Sequence, residues 1–157
     1  MYAAEFDYVR ASSIEEAISL KGANDDSSLL AGGHSLIPAM KLRLSTPQKL
    51  IDISGLDQLK NISNNGSYIS IGALCTHKQC AESDIIQSNC PALSDAASVI
   101  GDPHVRNKGT LGGALAHSDP QADYPGVVLA LDATIVAQGS DGERTIAASD
   151  YFTGLWE

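Results

Sequence analysis

The chain has 157 residues, enough for one domain or for two small lobes that share a core. Its composition, 43% hydrophobic and 18% charged, excludes a disordered chain. A net charge of −9 argues against a nucleic-acid binder, which needs a basic face, but leaves open a small molecule that carries phosphate. Because no apolar run is long enough for a membrane helix and MYAAEFDYVR lacks the basic head of a signal peptide, we expect a cytoplasmic protein without membrane insertion.

The first 60 residues alternate between helical and extended patterns. Two overlapping capping boxes in residues 12–16 predict a helix that ends at Gly22. The short apolar run 28–31 predicts a buried strand that stops at a Gly-Gly turn. A helix over 36–44 and a strand over 49–53 complete a β–turn–α–β unit, which favours parallel strand pairing.

The middle of the chain changes character. Residues 61–73 alternate around Asn65-Gly66, a strong hairpin signal. Residues 76–100 predict one or two helices, interrupted at 89–91 where a proline follows Asn-Cys.

Residues 101–125 show no helical or strand period and are rich in Gly, Pro, Asp, His and Asn. They predict a loop of about 20 residues, and a loop of that length within a compact domain is usually functional. The segments 133–137 and 143–147 then predict a second hairpin around Ser140-Asp141-Gly142.

Cysteine and histidine spacing gives no metal-site pattern. The three cysteines, Cys75, Cys80 and Cys90, contain no C-x-x-C, which excludes a complete disulfide framework and favours buried free thiols. The four histidines lack H-x-x-x-H or H-E-x-x-H spacing: His34, His77, His104 and His117. No nucleophile–base–acid arrangement can be identified, so we assign no metal ligand and no catalytic residue.

Residues 31–36, AGGHSL, place a Gly-Gly turn between a strand and a helix. Glycines permit positive φ and close approach to a ligand, so exposed N–H groups of this turn can cradle an anion. The alternative is a tight turn with a capping serine and no ligand. Neither the G-x-G-x-x-G nor the P-loop spacing is present.

A second Gly-Gly pair occurs in residues 109–114, GTLGGA, and Asp123 lies ten residues beyond Gly113. A hydroxyl, several backbone donors and a carboxylate suit a ligand with both phosphates and sugar hydroxyls. We therefore predict a dinucleotide between the two glycine motifs. Taken alone, Asp123 is more often a turn former than a ligand.

The segments AGGHSLIPAMKLR and IGDPHVRNKGTLGGALAHSDPQADYP together resemble the FAD-binding medium subunits of molybdenum hydroxylases. Carbon monoxide dehydrogenase medium subunits are more similar than the FAD domains of xanthine dehydrogenase. The resemblance implies an α+β, two-lobed FAD-binding domain of the PCMH or vanillyl-alcohol-oxidase type. Lobe one would span about 1–56 and lobe two about 57–157.

The resemblance also assigns cofactor-binding residues. The first pyrophosphate loop would contain Ala31, Gly32, Gly33, His34, Ser35 and Leu36. The second would contain Thr110, Leu111, Gly112, Gly113 and Ala114. Ile100 and Gly101 would lie near the adenine half, Asp123 would accept hydrogen bonds from cofactor hydroxyls, and His117 would line the site. FAD would be bound non-covalently, with His34 shaping the loop, and Ala114 replaces the Asn or Asp of many relatives.

The implied function is electron relay within a complex. An iron–sulfur small subunit would pass electrons to FAD on this chain, and a molybdopterin large subunit would oxidise the substrate. The [2Fe–2S] clusters and molybdopterin would belong to the partners only, so this chain alone would turn over no substrate. The alternatives are a free-standing PCMH-type flavin oxidoreductase and a flavin-free assembly module. The apolar end, residues 151–157, further suggests an N-terminal fragment without the family's C-terminal domain.

Overall fold

The computed structural model describes residues 1–154 and begins with a three-stranded parallel sheet. Its strands are β1 (Asp7–Arg10), β2 (Ser27–Leu30) and β3 (Lys49–Asp52). The strand order is β1–β3–β2, and the side chains of Leu50 and Ile51 in the central strand are 1% and 0% exposed. The predicted parallel pairing of β2 with β3 is confirmed.

Two helices accompany this sheet, α1 (Ile14–Gly22) and α2 (Leu36–Lys41). The cap of α1 forms as predicted, because Ser13 Oγ accepts a hydrogen bond from Glu16 N at 3.1 Å. Helix α2 ends three residues earlier than the predicted Leu44. Arg43 has a φ of 59°, in the left-handed region, where a helix cannot continue.

A 3₁₀ turn (Asp57–Leu59) leads into an antiparallel hairpin of β4 (Ile62–Asn64) and β5 (Ile69–Ile71). The prediction of a hairpin around Asn65-Gly66 is confirmed. Gly66 has a φ of 86°, and its N–H donates to Asn64 Oδ1 at 2.8 Å. The turn therefore uses the left-handed conformation that glycine adopts without steric cost.

Three helices follow the hairpin: α3 (His77–Glu82), α4 (Asp84–Asn89) and α5 (Pro91–Val99). They fill the predicted helical region, but with three helices rather than one or two, because Ser83 caps a separate α4. The predicted break before Pro91 is confirmed. With later helices they enclose the larger hydrophobic cluster, whose fully buried members include Cys75, Cys80, Ile86, Ala97 and Tyr124. The free thiols of Cys75 and Cys80 are thus core side chains, as predicted, whereas the free thiol Cys90 is only partly buried.

The predicted loop over residues 101–125 is wrong. This stretch is largely helical, with α6 (Pro103–Arg106), α7 (Leu111–His117) and the start of α8 (Asp123–Ala130). N-cap hydrogen bonds stabilise the first turns of two of these short helices. Asp102 Oδ1 accepts from Val105 N at 2.9 Å, and Thr110 Oγ1 accepts from Gly113 N at 3.2 Å. Helices of one or two turns are too short to show a hydrophobic period.

The remaining described residues form the predicted second hairpin. Strands β6 (Thr134–Gly139) and β7 (Gly142–Ala147) pair antiparallel, and α9 (Ala148–Tyr151) follows. The last three residues of the predicted apolar end, 155–157, lie outside the described residues. Within residues 1–154, no helix is both long and apolar enough to span a membrane.

Candidate functional site

The first glycine motif lies where β2 ends and α2 begins. Gly33 has a φ of 76°, a conformation that disfavours a side chain. A Cβ on Gly33 would also lie 3.1 Å from Ile37 Cγ1 and 3.2 Å from Leu30 Cδ1. The turn therefore requires glycine for conformation and for space.

The backbone donors of this motif are available to a ligand. Among the described residues, none of the N–H groups of residues 31–36 donates to a protein acceptor. Two of the carbonyls are already used, since Gly33 O accepts from Ile37 N and Ser35 O accepts from Ala39 N. Consecutive unpaired N–H groups around a glycine turn are suited to phosphate oxygens.

The second motif uses its donors differently. Leu111 N donates to Cys75 O and Gly112 N donates to Ala73 O, both at 2.9 Å. The N–H of Gly113 is bonded to the Thr110 hydroxyl. Ala114 N donates to Thr110 O, so its N–H is also engaged within the protein. These four amides are therefore not the free donors that we expected: two fix the motif against residues 73–75, and two bond within the motif to Thr110.

The structure brings the two motifs into direct contact. A Cβ on Gly32 would lie only 2.0 Å from Lys108 O and 2.9 Å from Gly109 Cα. A Cβ on Gly113 would lie 3.8 Å from the Cβ of Ala31. We call this contact, residues 31–33 with 108–113, the glycine seam. Close backbone packing at the seam explains the glycine at position 32. In the second motif, a Cβ on Gly112 would lie 2.5 Å from the Cβ of Ala73, so its glycine is required by a different neighbour.

A cavity of about 550 Å³ opens beside the seam. Three lysines line it, Lys60, Lys78 and Lys108, and no carboxylate of the described residues does. Its other lining residues are Ala31, Gly32, Ser54, Leu74, Thr76, Gln79, Asn107 and Thr110. In a chain with 10 lysines and arginines against 19 acids, this concentration of positive charge favours an anion nearby.

These three lysines are not among the site residues predicted from the sequence. Lys108 directly precedes the second motif, and this position in the sequence could have indicated that it lies at the site. Lys60 and Lys78 belong to no motif and meet Lys108 only through the tertiary fold. Within residues 1–154, Lys60 alone of the three pairs with a carboxylate, at 2.8 Å from Asp57 Oδ1.

The remaining predicted site residues do not line this cavity among the described residues. Gly101, two residues before α6, has a φ of 52°, and Arg106 Nη1 donates to the neighbouring Ile100 O at 3.0 Å. His117 is the last residue of α7 and Asp123 the first of α8, and both side chains are exposed. Their contacts with a cofactor stay predictions.

A glycine seam with free backbone amides is typical of domains that bind a nucleotide cofactor. Over residues 4–157 the sequence matches the family "FAD binding domain in molybdopterin dehydrogenase", and the chain belongs to this family. The α+β fold, with its parallel sheet and helical second half, agrees with this assignment. The family predicted from the two glycine motifs is thereby confirmed.

Similar proteins cover nearly all of this chain. The glyceraldehyde dehydrogenase medium chain of Sulfolobus acidocaldarius is 43% identical over 154 residues, which are 98% of this chain and 55% of that protein. The carbon monoxide dehydrogenase medium chain of Hydrogenophaga pseudoflava is also 43% identical, over 96% of this chain and 53% of that protein.

A solved structure shows the same fold. Carbon monoxide dehydrogenase from Hydrogenophaga pseudoflava, in a form that lacks the Mo-pyranopterin moiety, matches with a TM-score of 0.98 at 42% identity. The match covers 100% of this chain and 55% of the other chain. The chain thus spans about half the length of the relatives that it matches.

Proposed function

We propose that this chain binds FAD non-covalently at the glycine seam, with the diphosphate against the free amides of residues 31–36. The observation that carries this proposal is the contact between the two glycine motifs together with the unpaired N–H groups of the first. The residues fit the cofactor, because the unpaired N–H groups of this turn can donate to phosphate oxygens, and the glycines permit the positive φ and the close packing that form the turn.

The other assignments complete the proposed site. The second motif, Thr110–Ala114, supplies a rigid wall rather than free donors. Ile100 and Gly101 border the adenine half, Asp123 accepts from cofactor hydroxyls, and His117 lines the site. The seam would lie between lobe one, about 1–56, and lobe two, about 57–157. This division is supported by the parallel sheet, whose strands all lie within residues 7–52.

We infer that the whole protein is a medium subunit of a molybdenum hydroxylase of the carbon monoxide dehydrogenase type. It takes electrons from an iron–sulfur small subunit, beside a molybdopterin large subunit, and passes them to an external acceptor. When bound, FAD supplies the electron-transfer chemistry. The chain's own residues hold and orient the cofactor, so the chain alone turns over no substrate. The medium-chain relatives support this inference.

We place this function in the cytoplasm. The described cysteines support that location, because Cys75, Cys80 and Cys90 are free thiols, as is usual in a reducing compartment.

Titration of the purified chain with FAD tests the binding proposal. We expect saturable binding with quenching of flavin fluorescence and one FAD per chain. Absence of binding would support the flavin-free assembly module.

Isolation of the native protein tests the complex, since co-purification of iron–sulfur and molybdopterin subunits is expected. A flavin-loaded protein without these partners would support a free-standing PCMH-type flavin oxidoreductase.

Lys78→Ala and Lys108→Ala should each weaken FAD binding. Both residues line the cavity beside the seam, and their positive charge raises the potential for an anionic diphosphate. Because exposed charge interactions are weak and screened, we expect about a twofold to fivefold rise in Kd, which shrinks at high salt. Lys21→Ala on α1 is the matched control. A Kd change in the lysine variants no larger than in this control would contradict the proposal.

A further inference from the structure

The second motif is backed by a buried pair of polar rings, His77 and Tyr124. His77 is 5% exposed and Tyr124 is 0% exposed. His77 Nδ1 and the Tyr124 hydroxyl oxygen lie 3.1 Å apart, at hydrogen-bond distance, and the ring centroids are 5.3 Å apart. A buried hydrogen-bonded pair of this kind fixes the positions of the elements to which it belongs.

His77 touches the seam at Gly109 in two ways. Its backbone N–H donates to Gly109 O at 3.0 Å. Its ring lies directly on Gly109, where a Cβ would be 2.5 Å from His77 Nε2. The neighbouring pair Thr76 and Thr110 forms an isolated antiparallel β-bridge, so α3 begins in register with the second motif.

Tyr124 connects the same ring to the first turn of α8. It directly follows Asp123, the proposed acceptor for cofactor hydroxyls, and α8 begins at that residue. A contact between His77 and Tyr124 therefore sets how far the Asp123 end of α8 lies from the Gly109–Thr110 end of the seam. The two parts of lobe two proposed to face FAD share one buried support.

We propose that His77 and Tyr124 are positioning residues, which hold Asp123 and the second glycine motif at the separation that FAD requires. This inference rests on the proposed function. In this role both side chains are buried, and neither needs to touch the cofactor. The pair acts through the Gly109 backbone on one side and through the start of α8 on the other.

The surroundings keep the histidine neutral. Burial, with a smaller contribution from His34, lowers the pKa of His77 to about 4, although Asp123 opposes the shift. Burial also raises the pKa of Tyr124, and the neighbouring Cys80 acts in the same direction. The hydrogen bond is thus between neutral groups over the usual working pH range.

The test compares FAD affinity with stability in four variants of the chain. Tyr124→Phe keeps the ring and removes the hydroxyl, and His77→Leu removes the polar ring. His77→Asn is the conservative variant, since its amide can take the place of Nδ1. Ile86→Val removes a methylene from the same core, at a residue that is 0% exposed, and serves as the stability control.

We expect Tyr124→Phe and His77→Leu to raise the Kd for FAD about fivefold or more, the cost of a lost buried hydrogen bond. His77→Asn should recover part of the affinity, and Ile86→Val should leave the Kd within about twofold at a similar loss of stability. The inference is overturned if wild-type chain binds FAD and Tyr124→Phe binds it equally well, or if affinity follows stability across all four variants. Failure of the wild-type chain to bind FAD would instead overturn the proposed function.

Discussion

Replacing Gly32 with alanine should abolish FAD binding or raise its Kd by at least about tenfold. The new Cβ would lie 2.0 Å from the Lys108 carbonyl oxygen and 2.7 Å from the carbonyl carbon. These are backbone atoms, which cannot rotate away, so the seam must open. Overpacking of this kind costs about 1–3 kcal/mol of stability. FAD titration and urea unfolding of the same variant measure both effects.

Gly22→Ala is the matched control for this substitution. Gly22 ends α1, and a Cβ there would meet no atom within 4 Å. Alanine is a better helix former by up to about 1 kcal/mol, so we expect equal or slightly higher stability and unchanged FAD affinity. Equal affinities for the Gly32→Ala and Gly22→Ala variants would show that close backbone packing at the seam is not needed for the cofactor.

Replacing Ile51 with alanine should lower the free energy of unfolding by about 2–5 kcal/mol. Its side chain is 0% exposed in the central strand β3, where it packs with Ala11 and Ala17. The change removes three buried carbon atoms and leaves a cavity that the parallel sheet cannot readily close. Equilibrium unfolding in urea, followed by circular dichroism, measures the loss.

Val136→Ala in β6 provides the comparison for that loss. Val136 is 58% exposed, and a substitution at such a position usually changes stability by less than about 0.5 kcal/mol. If Ile51→Ala lowered the free energy of unfolding no more than Val136→Ala does, the core of the parallel sheet would not be a main source of stability. The sheet would then not be the stable support for β2, which leads into the first glycine motif.

Much of the fold could be predicted because its signals are local. The cap at Ser13, the turn at Gly66 and the break before Pro91 each depend on a few neighbouring residues, and each forms as expected. The resemblance of the two glycine motifs to a known family identified the fold class and the cofactor. The contact between the two glycine motifs is a consequence of that fold.

The remainder depends on contacts between distant segments. Residues 101–125 form short helices because Asp102 and Thr110 cap them. These helices have too few turns for a hydrophobic period to appear in the sequence. Two of the second motif's amides, those of Leu111 and Gly112, donate to carbonyls in residues 73–75, over 30 positions earlier in the chain. The contact between His77 and Tyr124 is likewise a tertiary one, and no sequence spacing indicates it.

Backbone NMR of the ¹⁵N-labelled chain during titration with FAD tests the central claim most directly. The amide signals of residues 31–36 should shift together with a single affinity, while the signal of Gly66, in the turn between β4 and β5, stays in place. ADP, which carries the diphosphate without the flavin, should shift the same group of amides. Saturable FAD binding that leaves the signals of residues 31–36 unchanged would contradict the assignment of the diphosphate to the glycine seam.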